Sequence, residues 1–224
     1  RSQLLATLAA ATGLFVNSCD LAAAIIRIPQ DHQTIQAGID AASASDVVLV
    51  AAGIYNERIR LKLGITVKSA GDNSRGRVGL KRAEATIIDG NVKGAVAPGV
   101  MMAEGSTLDG FSVTGVGSYD EDRWKKHHAT QGEEQAKEPI GAPGTPGIAA
   151  GGVTRCTVSN NIVHHIGYTG IGIEGMKNKR VSPHILRNVT YRNMGGGIGS
   201  MRGSSAIIEG NVCFENFYAG IGHE

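Results

Sequence analysis

The chain has 224 residues, a net charge of +2, 32 glycines and only 4% aromatic residues. This near-neutral charge gives no electrostatic case for a nucleic-acid partner. The glycine content favours many tight turns around a core of small aliphatic side chains. Cys19, Cys156 and Cys213 form no C-x-x-C pair, so neither a zinc site nor a disulfide framework is indicated.

Residues 1–24 have the composition of an export signal. The apolar residues 4–16 follow Arg1, are too few to span a membrane, and precede three alanines that offer a cleavage site. Residues 16–19 also resemble a bacterial lipobox, in which Cys19 would carry lipid and attach the protein to a membrane. A buried N-terminal helix is the third interpretation. Either export interpretation predicts a secreted or periplasmic protein.

The next segment predicts a strand, a helix and two further strands. Residues 26–29 begin it, and residues 34–42 carry apolar side chains at helical spacing. Residues 46–50 and 53–57 then alternate in the manner of strands. A short helix at this place would cap the open end of a repetitive β-structure.

The middle of the chain predicts weaker copies of a strand found near its C-terminus. Residues 86–91 and 107–111 both resemble residues 207–211, in which apolar residues lead to an acidic residue and a glycine. In the second copy Phe111 takes the place of the final asparagine. Residues 99–102 predict a further short strand.

An insertion interrupts this pattern at about residues 115–146. Long loops in a compact repeat are usually functional or disordered. One interpretation is that Trp124, the single tryptophan, forms a wall of a sugar site and stacks on a pyranose ring. The alternative is a solvated, mobile loop. The acidic residues 120–122 make a calcium site conceivable, although their spacing matches no metal motif.

A repeat occupies the last third of the chain, where an asparagine is followed nine positions later by a glycine. The pairs are Asn161 and Gly170, Asn188 and Gly197, and Asn211 and Gly220. Together with Gly147, the glycines recur after 23, 27 and 23 residues. Such a period fits one solenoid turn of three short strands. We expect each asparagine at a left-handed corner, with its amide bonded to the next coil.

These features resemble the right-handed parallel β-helix proteins of the pectin-lyase-like superfamily, over residues 25–224. The entry segment is similar to those of pectin esterase-like and periplasmic copper-maturation-type members. The resemblance implies an all-β, single-stranded right-handed parallel β-helix with a short N-terminal capping α-helix. It also implies that the asparagine corner joins the second and third strands, and that the Gly-Ile strands line a substrate groove. Because the chain stops at Glu224 inside a groove strand, we expect a β-helix truncated at its C-terminus.

Three residues of the groove strands are candidates for catalysis. Glu174 and Glu224 take equivalent positions two coils apart, which predicts a separation of roughly 10 Å. That distance is the upper limit for the two carboxyl groups of an inverting glycosidase. His223 precedes Glu224 and is a candidate general base. The alternative is that these are solvated polar side chains at strand ends.

Other residues are candidates for substrate binding. Tyr168 and Tyr218 fall just before groove strands, where they would flank the groove or stack across coils. Arg202 could bind an acidic polysaccharide through a carboxylate fork, as could Arg187 and Arg192. Arginines on a solvated face are the alternative.

The resemblance implies a polysaccharide-processing enzyme, either a lyase, a hydrolase or an epimerase. No motif reproduces a pectate lyase, polygalacturonase or esterase catalytic set. Two alternatives therefore stay open: a non-catalytic β-helix that binds glycans or cell-surface partners, and a periplasmic copper-maturation accessory protein. In each case we expect a monomer.

Overall fold

The computed structural model describes residues 22–130 and 144–223, and these form three parallel sheets of short strands. Sheet A contains β1 Ile25–Ile28, β2 Val47–Val50, β5 Thr66–Ser69, β8 Thr107–Asp109, β11 Thr157–Ser159, β14 His184–Leu186 and β17 Ile207–Glu209. Sheet B contains β3 Gly53–Tyr55, β6 Thr86–Asp89, β9 Ser112–Thr114, β12 Ile162–His164, β15 Val189–Tyr191 and β18 Val212–Phe214. Sheet C contains β4 Ile59–Arg60, β7 Val100–Met101, β10 Ile148–Ala149, β13 Ile171–Glu174, β16 Ile198–Met201 and β19 Ile221–His223.

Each coil passes through sheets A, B and C in turn, so every strand pairs with the equivalent strand one coil away. Strand side chains alternate between faces, and the inward positions stack one aliphatic residue on another. In sheet A, for example, Val67, Leu108, Val158 and Ile185 are in register and fully buried. This column of small aliphatic side chains is the core, and it confirms the predicted all-β parallel β-helix.

The corner between sheets A and B confirms the predicted asparagine ladder. It also shows that a different residue has the left-handed backbone conformation. Asn188 Oδ1 accepts hydrogen bonds from the backbone N–H of Asn161 at 3.0 Å and from its amide at 3.1 Å. Phe111 ends the ladder, because only its backbone N–H reaches Asn161 Oδ1, at 2.9 Å. The left-handed residue precedes the asparagine, with φ of 57° at Asn160 and 53° at Arg187. The ladder asparagines therefore bridge coils and do not form the tight turn themselves.

The N-terminal end is capped as expected. Helix α1 spans Ile35–Ala41, begins at the capping hydroxyl of Thr34, and buries Ile35 and Ile39 completely. The carboxylate of Glu57 accepts the N–H groups of Ile35 and Gln36 at 2.8 and 2.9 Å. The helix packs on β1, β2 and β4 and so covers the end of the core.

Two insertions leave the coils, and the first corrects a strand assignment. Residues 70–85 separate β5 from β6 and contain helix α2, Lys81–Ala85. As a result β6 lies in sheet B, whereas residues 207–209, which it resembles, lie in sheet A. An apolar pair followed by an acidic residue and a glycine ends strands in both sheets, so the pattern alone does not distinguish them. The second insertion carries helix α3, Glu121–Ala129, between β9 and β10.

Several expectations fall outside the described residues. These are the export or lipid signal with Cys19, most of the loop after α3, and Glu224. In the described parts of the chain, no helix combines the length and hydropathy needed to cross a membrane.

Candidate functional site

The outer face of sheet C has a floor of small residues. Ala149, Gly172, Gly199 and Gly222 are paired in register across four coils. Their neighbours Ile171 and Ile198 point inward and are fully buried. The floor is therefore nearly free of side chains, which lets a ligand approach the backbone closely.

A cleft of about 800 Å³ lies over this floor, and we call it the sheet C cleft. Pro98 and Pro146 line it, and a Cβ on Gly172 would lie 3.1 Å from Pro146. The lining also includes Tyr168, Glu174 and Arg202. Three of the predicted site residues, from two successive coils, thus meet in one cleft.

Glu174 and Arg202 form an ion pair in this cleft. Glu174 Oε1 lies 2.5 Å from Arg202 Nη1, and the two side chains are 50% and 77% exposed. Arg202 follows β16 in a left-handed conformation with φ of 55°, one position after the residue that pairs with Glu174. A Cβ at Gly175 would lie 2.1 Å from the carbonyl oxygen of Arg202. The missing side chain at Gly175 is what allows the turn to bring the guanidinium to the carboxylate.

The two predicted tyrosines have different surroundings. Tyr168 lines the sheet C cleft, whereas Tyr218 is 47% exposed and is not part of the lining found among the described residues. The intervening coil has Gly195 at the equivalent position, and the N–H of Tyr218 donates to its carbonyl at 3.1 Å. Tyr168 is therefore the tyrosine that a ligand in the cleft would contact.

Trp124 lies in α3 and is only 4% exposed. It packs with Met194 and Phe217, stacks on His128 at 4.7 Å, and donates from Nε1 to the carbonyl of Glu215 at 2.9 Å. This burial contradicts the expectation of an exposed wall for a sugar ring. The physical reason is that α3 packs on the turns between sheets B and C through Trp124 and His127, and the indole is the largest apolar side chain in this helix.

His223 does not lie where a catalytic residue of the groove was expected. It is in register with Ser200 of β16, and Ser200 is in register with the fully buried Ile173. Its Nδ1 lies 3.3 Å from Ser200 Oγ. Strand alternation therefore puts His223 on the core side of sheet C, which contradicts a general base facing the groove. Glu224, its proposed partner, lies outside the described residues.

The other candidate arginines lie elsewhere. Arg192 Nε pairs with Glu215 at 3.0 Å, its Nη1 lies 3.5 Å from Glu121, and its Cζ lies 4.4 Å from the Trp124 ring centroid. Arg192 thus links α3 to the β-helix through ion pairs and contact with the indole ring. Arg187 lies at the corner of sheets A and B. Of the three arginines, Arg202 is the one in the sheet C cleft.

The acidic residues 120–122 belong largely to the first turn of α3. Asp120 Oδ1 accepts from the N–H of Arg123 at 3.0 Å as the helix cap. Glu121 accepts from the hydroxyl of Tyr119 at 2.6 Å and pairs with Lys125 at 3.4 Å. Over residues 22–130 and 144–223, no group of three or more His, Cys, Asp or Glu side chains could hold a metal ion. The calcium interpretation gains no supporting geometry.

Two features of the site were missed in the sequence. Pro98 and Pro146 line the cleft, and each directly precedes the glycine that opens a groove strand, in the sequences Pro-Gly-Val and Pro-Gly-Ile. That shared spacing is a usable signal. Gly175 is the other feature, and its importance depends on a backbone contact from the next coil.

The comparison with protein families agrees with the fold. Residues 140–224 match the family model described as "Right handed beta helix region". A pectin methylesterase from Erwinia chrysanthemi is structurally similar with a TM-score of 0.41 and 13% identity, covering 81% of this chain and 56% of that chain. The chain thus spans little more than half the length of that enzyme, and similarity at this level carries no argument about activity. No curated protein sequence matches the chain. The stacked parallel sheets show a right-handed parallel β-helix fold, and the family match over residues 140–224 agrees with it.

Proposed function

We propose that this protein binds a polysaccharide along sheet C and processes it there, in the periplasm or outside the cell. The observation that carries the proposal is the Glu174–Arg202 pair, 2.5 Å apart, in a cleft with a floor of small residues. The volume of about 800 Å³ suits a ligand of several sugar rings. Tyr168 supplies an aromatic face for one of them.

The pair suits an acidic sugar in particular. A guanidinium binds a carboxylate through two parallel hydrogen bonds, and Arg202 is exposed enough to exchange partners. A sugar carboxylate that takes the place of Glu174 would leave Glu174 beside the sugar with no guanidinium partner. A carboxylate in that position can accept a proton as a general base. These contacts support a lyase or an epimerase, because both reactions begin with the abstraction of a proton next to the sugar carboxylate.

One observation favours a glycan-binding protein without catalysis. The described lining of the sheet C cleft contains a single carboxylate, Glu174. Glycoside hydrolysis ordinarily needs two. No corresponding observation favours the copper-maturation alternative, because the described residues contain no metal-binding cluster of His, Cys, Asp or Glu.

The test uses a panel of uronate-containing and neutral polysaccharides. Turnover is followed by ultraviolet absorbance of unsaturated products, by reducing ends and by product NMR, and binding is followed by affinity electrophoresis. We expect a uronate polymer to be bound and turned over by the protein, R202Q to weaken binding at least about tenfold, and E174Q to bind but not react. K177Q changes an exposed lysine outside the cleft lining and serves as the control.

The outcomes separate the two functions. Retarded migration on a polysaccharide without any product supports the non-catalytic alternative and rejects the enzyme. Neither binding nor product on the whole panel rejects both. Processing that E174Q leaves intact rejects Glu174 as the base. Localisation is tested separately, by expressing the gene in a bacterial host, fractionating the cells and sequencing the mature N-terminus.

A further inference from the structure

A second cleft, which we call the corner cleft, lies where sheets A and B meet. It has a volume of about 380 Å³, and its lining includes Arg75, Arg187, Asn160, Val78, Leu80 and Val189. The insertion before β6 forms one side, and the A–B corners of the later coils form the other. None of these residues lines the sheet C cleft.

The inserted side of the corner cleft is held in place. Glu84 Oε1 accepts the N–H groups of Val78 and Gly79 at 2.5 and 3.1 Å. A Cβ at Gly79 would lie 2.8 Å from the side chain of Ile162, so the loop sits directly on sheet B. Leu80 and Val78 pack beside Val189 and Ile162 in a small apolar cluster. The cleft therefore exists before any ligand arrives.

The opposite side presents an oriented guanidinium. Arg187 Nε donates to Asn160 Oδ1 at 3.1 Å, and Asn160 Nδ2 donates to Asp109 Oδ1 at 2.5 Å. Asp109 in turn pairs with the buried Arg82 at 2.8 Å. The amide of Asn160 thus uses both its donor and its acceptor to fix Arg187 through Nε. The two Nη groups of Arg187 are left for other partners.

The two arginines of the corner cleft form no ion pair with any other described residue. Within residues 22–130 and 144–223, neither Arg75 nor the Nη groups of Arg187 have an ion pair or a side-chain hydrogen bond. The nearby carboxylates are already engaged: Asp109 by Arg82, Glu209 by His184 at 3.3 Å, and Glu84 by the N–H groups of Val78 and Gly79. Two arginines therefore face one small cleft with an apolar floor.

We propose that the corner cleft binds a small organic anion, a carboxylate or sulfate carried on a ring of about the size of one sugar. The two guanidinium groups would hold the anion by forked hydrogen bonds. Val78, Leu80 and Val189 would contact the apolar side of the ring. A bare inorganic ion would leave most of the 380 Å³ unfilled.

The test is isothermal titration of the intact protein with galacturonate, galactose 6-sulfate, galactose and inorganic sulfate. We expect the first two to bind and galactose not to bind, because it lacks the anion. Inorganic sulfate should bind more weakly than galactose 6-sulfate. R187A and R75A should each weaken binding at least about tenfold, since each removes charge-assisted hydrogen bonds. R187K keeps the positive charge but loses the forked hydrogen bonds, so its affinity should lie between those of R187A and the unmodified protein.

Two controls keep the result specific to this cleft. R180A removes one positive charge from an exposed turn outside both clefts, and it should bind like the unmodified protein. The proposed function assigns uronate binding in the sheet C cleft to Arg202, so the titrations are repeated on R202Q, with R187A, R75A and R180A each introduced into that background. Circular dichroism melts establish that R187A and R75A are folded. In the R202Q background, equal binding by R187A, an equal loss in R180A, equal affinity for galactose, or no binding of any ligand would each overturn the proposal. A failure of the sheet C function alone would leave it standing.

Discussion

Gly175 and Arg202 are in backbone contact at the edge of the sheet C cleft, where a Cβ on the glycine would lie 2.1 Å from the arginine's carbonyl oxygen. G175A should therefore push the turn after β16 outward and separate Arg202 from Glu174. We expect a loss of about 1–3 kcal/mol in the free energy of unfolding, as for overpacked sites, together with weaker polysaccharide binding. Urea denaturation and affinity electrophoresis measure the two effects.

The matched variant for stability is G222A, on the same face of sheet C, where the nearest atom would be 4.0 Å from the new Cβ. It should unfold within about 0.5 kcal/mol of the unmodified protein. Normal stability and normal binding in G175A would show that the turn does not depend on this contact.

Asn188 is the central member of the asparagine ladder and is fully buried. Its Oδ1 accepts two hydrogen bonds from Asn161, and its Nδ2 donates to the carbonyl of Val158 at 2.9 Å. N188A would remove these hydrogen bonds, at about 1–3 kcal/mol for each buried group left unsatisfied. We expect N188A to lower the free energy of unfolding by about 3 kcal/mol or more, measured by urea denaturation. N178D, in an exposed turn, should change it little, and comparable stability in both variants would contradict a structural role for the ladder.

His164 should make the protein less stable in mild acid. Its ring stacks on Tyr191 at 5.0 Å, and burial, with the neighbouring His165 second, lowers the pKa of His164 from 6.5 to about 4. In the unfolded chain His164 therefore takes up a proton near pH 6.5, whereas in the folded protein it does so only near pH 4. The stability contributed by the neutral ring is present above pH 6.5 and is lost as the pH falls towards 4. This pKa difference corresponds to about 3 kcal/mol.

H164F keeps the aromatic stack and removes the titrating group. Its free energy of unfolding should fall less steeply between pH 6.5 and 4 than that of the unmodified protein, when both are measured by urea denaturation at several pH values. H32Q removes a histidine from the turn after β1 and should keep the original slope. If the dependence of unfolding free energy on pH is the same in H164F, another residue is responsible for the loss of stability in acid.

Trp124 is the only tryptophan of the chain, so its fluorescence reports directly on the contact between α3 and the β-helix. Because the indole is 4% exposed, its emission should be blue-shifted and poorly quenched by acrylamide. A polysaccharide bound over sheet C should leave both properties unchanged. Free N-acetyltryptophanamide is the reference for full quenching. If acrylamide quenches Trp124 strongly and bound polysaccharide reduces that quenching, Trp124 stacks on the sugar and the buried position is wrong.

W124A tests the same contact through stability. Removing a large buried aromatic side chain should cost about 3–5 kcal/mol if the whole structure unfolds together, and less if α3 detaches alone. Helix content by circular dichroism at low urea distinguishes these cases. D122N, at an exposed position of the same helix, is the control.

Local patterns predicted the elements that depend on neighbouring residues. The spacing of Ile35 and Ile39 predicted the capping helix, and the interval from Asn161 to Gly170 predicted a corner followed by an inward isoleucine. The same local logic failed for β6, because one strand-ending pattern serves two different sheets. It also failed for His223, where a shift of one residue along the strand moves a side chain from the groove to the core.

By itself, the sequence determined the parallel β-helix, since a period of 23 to 27 residues with stacked asparagines and isoleucines has few other ways to bury its apolar side chains. Only the tertiary structure decided which polar groups meet. Glu174 and Arg202 are 28 positions apart and come together because Gly175 has no side chain. Trp124 lies away from the groove because it is the apolar side chain through which α3 packs on the β-helix, and that contact is formed with turns two coils and more further along the chain.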